Sequence, residues 1–253
     1  MIDTHCHLYL SEFDPDLEDV LKRAIDAGVQ RFYLPAIDRK CHEKMTNLEK
    51  KYPGHCYAMI GLHPCSVSES FQQELLQIKE LLSQRQFAGI GETGLDFFWD
   101  KSFIKQQYES LEIQIELALQ HKLPLILHTR NATQETIEVI SKHSGKGLFG
   151  IFHCFGGTID EALQIIDAGF FLGIGGVITY KNAGLAEVLE NVDMKYIVLE
   201  TDAPYLAPVP FRGKRNESSF LKYIAEKLAT VKKISLEEVE EITTANAQNI
   251  FGA

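Results

Sequence analysis

Short apolar runs alternate with longer stretches of helical period along the whole chain. The runs at Met1–Thr4, Arg31–Ile37, Cys56–Leu62, Phe87–Gly91, Pro124–Leu127, Leu148–Phe152, Phe170–Ile174 and Tyr196–Leu199 predict strands. They lack an alternating polar face, as expected when helices cover both sides of a parallel sheet. Between them the pattern predicts helices near Asp16–Ala27, Arg39–Lys51, Ser68–Gln84, Phe103–His121, Thr133–His143, Ile159–Ala168 and Ala183–Asn191. Two more follow near Ser218–Val231 and Leu236–Thr244. The clearest helix carries Ile104, Tyr108, Leu111, Ile115, Ala118 and Leu119 on one face of a 3.6-residue period. Eight strand–helix beats in 253 residues predict an α/β fold, a (β/α)8 TIM barrel. A doubly wound open sheet is the competing architecture. No linker, repeat or low-complexity stretch interrupts the pattern, so residues 1–253 read as one TIM-barrel domain.

Composition narrows the class. With 45% hydrophobic and 24% charged residues the chain reads as globular, not disordered or fibrous. No apolar run approaches the roughly 18–20 residues a membrane span needs. The opening Met-Ile-Asp-Thr-His-Cys-His has neither a basic nor an apolar leader region, and five cysteines without regular spacing argue against a disulfide framework. Both point to a cytoplasmic protein. A formal net charge of −10 excludes a broad basic face, so any nucleic-acid contact must be local or metal-assisted.

Polar residues gather where strands end. His5 and His7 follow the first predicted strand, His63 the third, Glu92 the fourth, His128 the fifth and His153 the sixth, while Asp202 closes the eighth. In a barrel those exits converge on one face, where catalytic groups are found. On a strand, residues i and i+2 point the same way, so His5 and His7 present both imidazoles to one side and Cys6 to the other. The same alternation makes Cys154 a packing residue, and the thiols read as small buried hydrophobes. Imidazole and carboxylate without thiolate suit zinc, manganese or a similar divalent ion. Six of these seven groups, with His63 left aside, exceed what one open tetrahedral zinc requires. They suffice for two ions if Glu92 bridges, and ions about 3.5–4 Å apart can clamp the attacking and leaving oxygens of a phosphodiester.

Two glycine motifs are decoys. Gly89-Ile-Gly-Glu-Thr-Gly94 spells a dinucleotide fingerprint but runs into Leu95-Asp-Phe-Phe-Trp99 instead of a helix. Gly173-Ile-Gly-Gly176 reads as a close-packed strand end. The dense basic segment Pro210-Phe-Arg-Gly-Lys-Arg-Asn216 follows Asp202, so Arg212 and Lys214 are candidates for gripping phosphate on the metal rim.

Taken together, Asp3-Thr-His-Cys-His7, Gly61-Leu-His-Pro64, Gly89-Ile-Gly-Glu-Thr-Gly-Leu-Asp96, His128, His153-Cys-Phe155, Glu200-Thr-Asp-Ala-Pro-Tyr-Leu206 and Arg212-Gly-Lys-Arg-Asn216 resemble the TatD family of metal-dependent deoxyribonucleases. This is a branch of the amidohydrolase-like barrels, and the resemblance runs in order from residue 3 to about residue 250. It implies one metal on His5, His7, Glu92 and Asp202, and a second on Glu92, His128 and His153. Glu92 and Asp202 would be the catalytic carboxylates, with Asp202 taking the proton of a metal-activated water. Asp96 and Glu200 would orient the ligands, and His63, Arg212 and Lys214 would meet substrate. The implied cofactors are two divalent ions, Mg, Mn or Zn. The implied substrate is DNA, cleaved 3′–5′ from single-stranded or frayed ends. An aminoacyl-tRNA deacylase, a small phosphoesterase and a non-catalytic metal or nucleic-acid binding module are the competing functions. Cys65, Gly156 and Phe211 stand where the family often has His, Ser and His, which bears on substrate contacts and spares every implied ligand.

Overall fold

A computed structural model describes residues 1–252. The strands are β1 (Ile2–Asp3), β2 (Arg31–Leu34), β3 (Cys56–Ala58), β4 (Ile90–Asp96), β5 (Leu125–Arg130), β6 (Gly150–Phe152), β7 (Phe170–Ile174) and β8 (Ile197–Leu199). All neighbours pair in parallel, β1 to β3 in one run and β4 to β8 in another. Two seams close the ring. Ile60 bridges to Ile90, with Gly91 N donating to Ile60 O at 2.8 Å, and Thr4 N donates to Leu199 O at 3.1 Å. The result is a closed eight-stranded parallel α/β barrel, and the open-sheet alternative is set aside.

The helices are α1 (Leu17–Asp26), α2 (His42–Lys51), α3 (Phe71–Gln84), α4 (Ile104–His121), α5 (Thr133–Ser141), α6 (Ile159–Asp167), α7 (Leu185–Leu189), α8 (Leu221–Lys232) and α9 (Leu236–Phe251). Each lies on a predicted helix, but α9 runs seven residues past Thr244. Its end serves the barrel interior: Ala247 and Ile250 plug an apolar cluster of Ile2, Tyr33, Met59, Ile126, Ile151 and Val198. Helix α4 buries Gln107, Ser110 and Gln114 beside Leu111 and Ile115, a polar strip that hydrophobic periodicity does not register. Gln114 accepts from Leu62 N at 2.8 Å and donates to Thr93 Oγ1 at 2.7 Å, while Gln107 accepts from Asp96 N at 2.9 Å. These amides satisfy backbone groups that strand pairing leaves open, and they pin β4 and the β3 exit to the helix.

The interior cluster aims the site. Strand side chains repeat with period two, so the inward register of Ile126 carries on to His128, that of Ile151 to His153, and that of Val198 to Glu200 and Asp202. Hydrophobic residues fill the lower barrel, and the next inward positions supply ionisable groups at the C-terminal face.

Candidate metal centre

Strand β4 extends five residues beyond its predicted end at Gly91, so Glu92 and Asp96 lie within it, all seven of its residues being buried. Likewise His128 lies inside β5, not beyond it. The polar run Gly-Glu-Thr-Gly-Leu-Asp conceals a strand whose carboxylates are anchored by their backbone.

Glu92 sits at the centre. Its Oε2 lies 3.1 Å from Nε2 of His5 and 3.6 Å from Nε2 of His7. Its Oε1 lies 3.0 Å from Nδ1 of His128, 2.9 Å from Nε2 of His153 and 3.4 Å from Nε2 of His63. Asp202 Oδ1 stands 3.7 Å from His5 Nε2 and 3.5 Å from His7 Nε2. Three overlapping groups bring potential ligand atoms within 4.8 Å of one another: His5, His7 and Glu92; His5, His153 and Asp202; His63, Glu92 and His128. Their nitrogen and oxygen donors, with no cysteine among them, fit a divalent ion of borderline hardness.

Backbone hydrogen bonds hold the two ends of the chain in register. Asp202 N donates to His5 O at 2.9 Å and His7 N to Ala203 O at 2.8 Å. The buried Asp3 carboxylate accepts from Thr201 N at 2.9 Å and Thr201 Oγ1 at 2.6 Å. Burial pushes that carboxyl up to about 7, against the opposing pull of these bonds. Asn216 Nδ2 donates to Thr201 O and Tyr205 O, both at 2.7 Å, tying down the turn that holds Asp202 in left-handed backbone at φ +55°. Gly173 leaves room for Glu200: a Cβ there would overlap the Glu200 carboxylate, which makes Gly173-Ile-Gly-Gly176 the close-packed strand end its sequence predicts.

Hydrogen bonds also set which nitrogen of each imidazole faces inward. Tyr9 Oη donates to Pro35 O at 2.6 Å, so at 2.9 Å from His7 Nδ1 it accepts, leaving the Nε2 lone pair pointed into the site. Asp96 Oδ2 takes the Nε2 proton of His128 at 2.9 Å and leaves Nδ1 toward Glu92. His63 is the opposite case. Its Nδ1 accepts from Cys65 N at 3.0 Å, so the neutral ring carries its proton on Nε2 and presents a donor, and burial lowers its pKa to favour that neutral form. Proximity groups His63 with the ligands, but its tautomer suits a substrate oxygen. Glu200 Oε1 accepts from Cys154 N at 2.5 Å and lies 3.3 Å from Nδ1 of His153.

Charge completes the picture. Burial alone would raise the Glu92 pKa, yet His153, His5 and His63 hold it well below the usual carboxylate range. Burial likewise works to raise Asp202, and His7, His153 and His5 pull it down. For His153, burial opposes protonation, but Glu92 and Glu200 drive its pKa well up. The site is built to keep its anions charged and to collect positive charge around them.

A cavity of about 680 Å³ opens above these groups, its floor formed by His7, His63, Glu92, His128, His153 and Asp202. Trp99, Arg130, Tyr205 and Leu206 line its walls, together with Cys65 and Cys154. Two sequence expectations change here. Cys6, Cys41 and Cys56 are buried as expected, but Cys65 is exposed and Cys154 only half-buried. Arg212 and Lys214 are not among the lining residues: Arg212 packs over the Tyr180 ring at 4.5 Å, and Arg215 pairs with Asp16 at 2.7 Å. The guanidinium in the wall belongs to Arg130, which sequence reasoning missed although it sits two positions from His128, on the same strand face.

Fold and site together define a metal-dependent hydrolase on a parallel α/β barrel. The family profile described as TatD related DNase matches residues 2–252, and the chain belongs to that family. It is 38% identical over 252 residues to the uncharacterized metal-dependent hydrolase YabD of Bacillus subtilis, covering 99% of this chain and 98% of the relative. It is 31% identical over 257 residues to the 3′-5′ ssDNA/RNA exonuclease TatD of Erwinia tasmaniensis, covering 99% of each. The crystal structure of YjjV, a TatD homolog from Escherichia coli K12, superposes with a TM-score of 0.93 at 28% identity, covering 100% of this chain and 98% of that one.

Proposed function

We propose that this hydrolase is a TatD-type deoxyribonuclease that cleaves DNA phosphodiester bonds in single-stranded or frayed 3′ ends, in the 3′–5′ direction. One observation carries the reading: the two oxygens of Glu92 face two different sets of imidazoles, His5 and His7 on one side, His128 and His153 on the other. That is the arrangement a bridging carboxylate needs. His5, His7, Glu92 and Asp202 would hold one divalent ion, and Glu92, His128 and His153 a second, with Mg, Mn and Zn all compatible with the donors. Bound there, two ions would acidify a water and neutralise charge on the phosphoryl oxygens.

The protein's own groups do the rest. Asp202, ionised by its imidazole neighbours, accepts the proton of the attacking water on a carboxylate oxygen. His63 donates its Nε2 proton to a phosphoryl oxygen, and Arg130 in the wall offers a forked pair of donors. Asp96 and Glu200 keep His128 and His153 in the orientation their roles require. The Erwinia relative's name supports nucleic acid as the substrate class.

The test is metal-supplemented incubation with end-labelled single-stranded DNA, set beside RNA, aminoacyl-tRNA and a small phosphate ester. Stepwise shortening of the DNA from its 3′ end, abolished by chelation and restored by divalent metal, is the expected result. Release of the amino acid or hydrolysis of the small ester, with DNA intact, would replace this reading by the deacylase or phosphoesterase. No turnover of any of them would leave a binding module.

A further inference from the structure

Phe98 and Trp99 leave β4 just beyond Asp96, and both rings stand in solvent, 47% and 68% exposed. Large apolar rings so exposed beside a cavity mark a surface that something covers. They are held in place. Asp96 Oδ1 accepts from Phe98 N at 2.9 Å and Trp99 N at 3.1 Å, while its Oδ2 faces His128 Nε2 at 2.9 Å. One carboxylate therefore fixes a candidate ligand and the aromatic turn relative to each other. The two rings meet edge to face at 5.0 Å, and the Arg130 guanidinium lies 3.8 Å from the Phe98 centroid and 5.1 Å from that of Trp99. Trp99 and Arg130 line the same cavity as Glu92 and Asp202.

We propose that Trp99, backed by Phe98 and Arg130, is a stacking platform for the nucleobase flanking the phosphate attacked at the Glu92–Asp202 site, and that it selects unpaired strands. The proposal rests on the nucleic-acid reading above and deepens it. An unpaired base offers an open π-face that an indole can cover whatever the sequence. A duplex has already spent those faces on its own stack, so it must fray before the platform can engage it. Charge complementarity agrees: the one guanidinium in the cavity wall stands beside the rings, where a phosphate attached to a stacked base would run, in a protein of net charge −10.

Trp99 is the only tryptophan in the chain, so its fluorescence reports on this surface alone. The metal-loaded enzyme would be titrated with cleavage-resistant phosphorothioate trinucleotides: thymidine, uridine and an abasic trimer of equal charge. Quenching by both base-bearing trimers, with the abasic trimer binding about tenfold or more weaker and leaving emission unchanged, is expected from the stacking worth of one base. In turnover of single-stranded DNA, Trp99→Ala should raise KM about tenfold, and Trp99→Phe should restore most of it. An abasic trimer that binds as tightly as the others, or an unchanged KM in Trp99→Ala, overturns the platform while leaving the nuclease reading intact. If the wild type degrades no nucleic acid at all, the nuclease reading fails and the platform fails with it.

Discussion

Tyr9 and His7 share a 2.9 Å hydrogen bond whose direction is set by the backbone, because the Tyr9 hydroxyl spends its proton on Pro35 O at 2.6 Å. Tyr9 is therefore an acceptor for Nδ1–H and holds His7 with its Nε2 lone pair inward. Tyr9→Phe removes that acceptor without changing the ring's packing. Groups that orient a metal-binding histidine typically account for about 10–100-fold in affinity. Metal retention against a graded chelator should fall by that order in Tyr9→Phe while the circular dichroism spectrum stays unchanged. Equal retention in the two proteins would show that His7 does not need its partner.

Asp202→Asn separates holding a metal from moving a proton. Asp202 sits at φ +55°, a conformation asparagine tolerates at least as well as aspartate, so the turn should survive the exchange. The amide oxygen can still approach a cation, but it cannot accept the water's proton. Turnover should drop by about two orders of magnitude or more, the range ascribed to general-base catalysis, with metal content falling much less. Glu92→Ala should lose both together, since Glu92 faces both sets of imidazoles. Metal analysis and rate measured on the same samples distinguish these outcomes, and comparable rates in wild type and Asp202→Asn would remove Asp202 from the proton-accepting role.

Much of this architecture was legible in the sequence, and the exceptions share a cause. Runs such as Pro124–Leu127 and Phe170–Ile174 disclose strands because both of their faces meet apolar neighbours. Hydrophobic patterning ends the fourth strand at Gly91 because Glu92, Thr93 and Asp96 are polar, yet all three are buried in β4. The histidines and acids stood out because ionisable groups at strand ends are unusual chemistry at regular positions. Their supports did not stand out. Tyr9 acts through Pro35, Asp3 through Thr201, and Gln114 through Leu62, partners 26, 198 and 52 positions apart. No local spacing encodes such pairs. The basic segment misled in the opposite way: Arg215 is occupied by Asp16, and Arg130, isolated in sequence, is the guanidinium in the wall.

His42 imposes a pH dependence on stability away from the metal groups. It is buried at the start of α2, both ring nitrogens lack hydrogen-bond partners, and burial lowers its pKa to about 4. Once pH falls below 6.5, the unfolded chain takes up a proton that the native state refuses until about pH 4. Stability from this residue is thus fully present above pH 6.5 and lost progressively toward pH 4, with about 2 kcal/mol gone by pH 5. His42→Leu should abolish that part of the slope and match or exceed the wild type at pH 5. Urea midpoints of both proteins at pH 7 and pH 5 give the answer, since acid release of metal affects the two alike. Parallel losses on acidification would show that His42 is protonated in the native state.

On the nuclease reading, the grip on DNA would divide between two places, Arg130 in the cavity wall and the basic loop that the sequence singles out. Arg130 lines the cavity, whereas Arg212 and Lys214 lie outside it, exposed on the loop beyond Asp202. A di- or trinucleotide should therefore engage Arg130 alone, and a longer strand should also reach the loop. Each phosphate neutralised on a single strand adds about −0.7 to the slope of log K against log salt. Arg130→Ala should weaken short and long oligonucleotides alike and flatten both slopes by somewhat under one unit. The double change Arg212→Ala, Lys214→Ala should leave a trinucleotide untouched and flatten the slope only for strands long enough to leave the cavity. Neither variant should alter metal content, because a guanidinium or ammonium does not ligate a cation. Salt titrations of a trimer and a dodecamer against the three proteins carry the test. If the loop variant weakens the trimer as strongly as Arg130→Ala does, the loop closes over the cavity when substrate binds, and the division drawn from this structure fails.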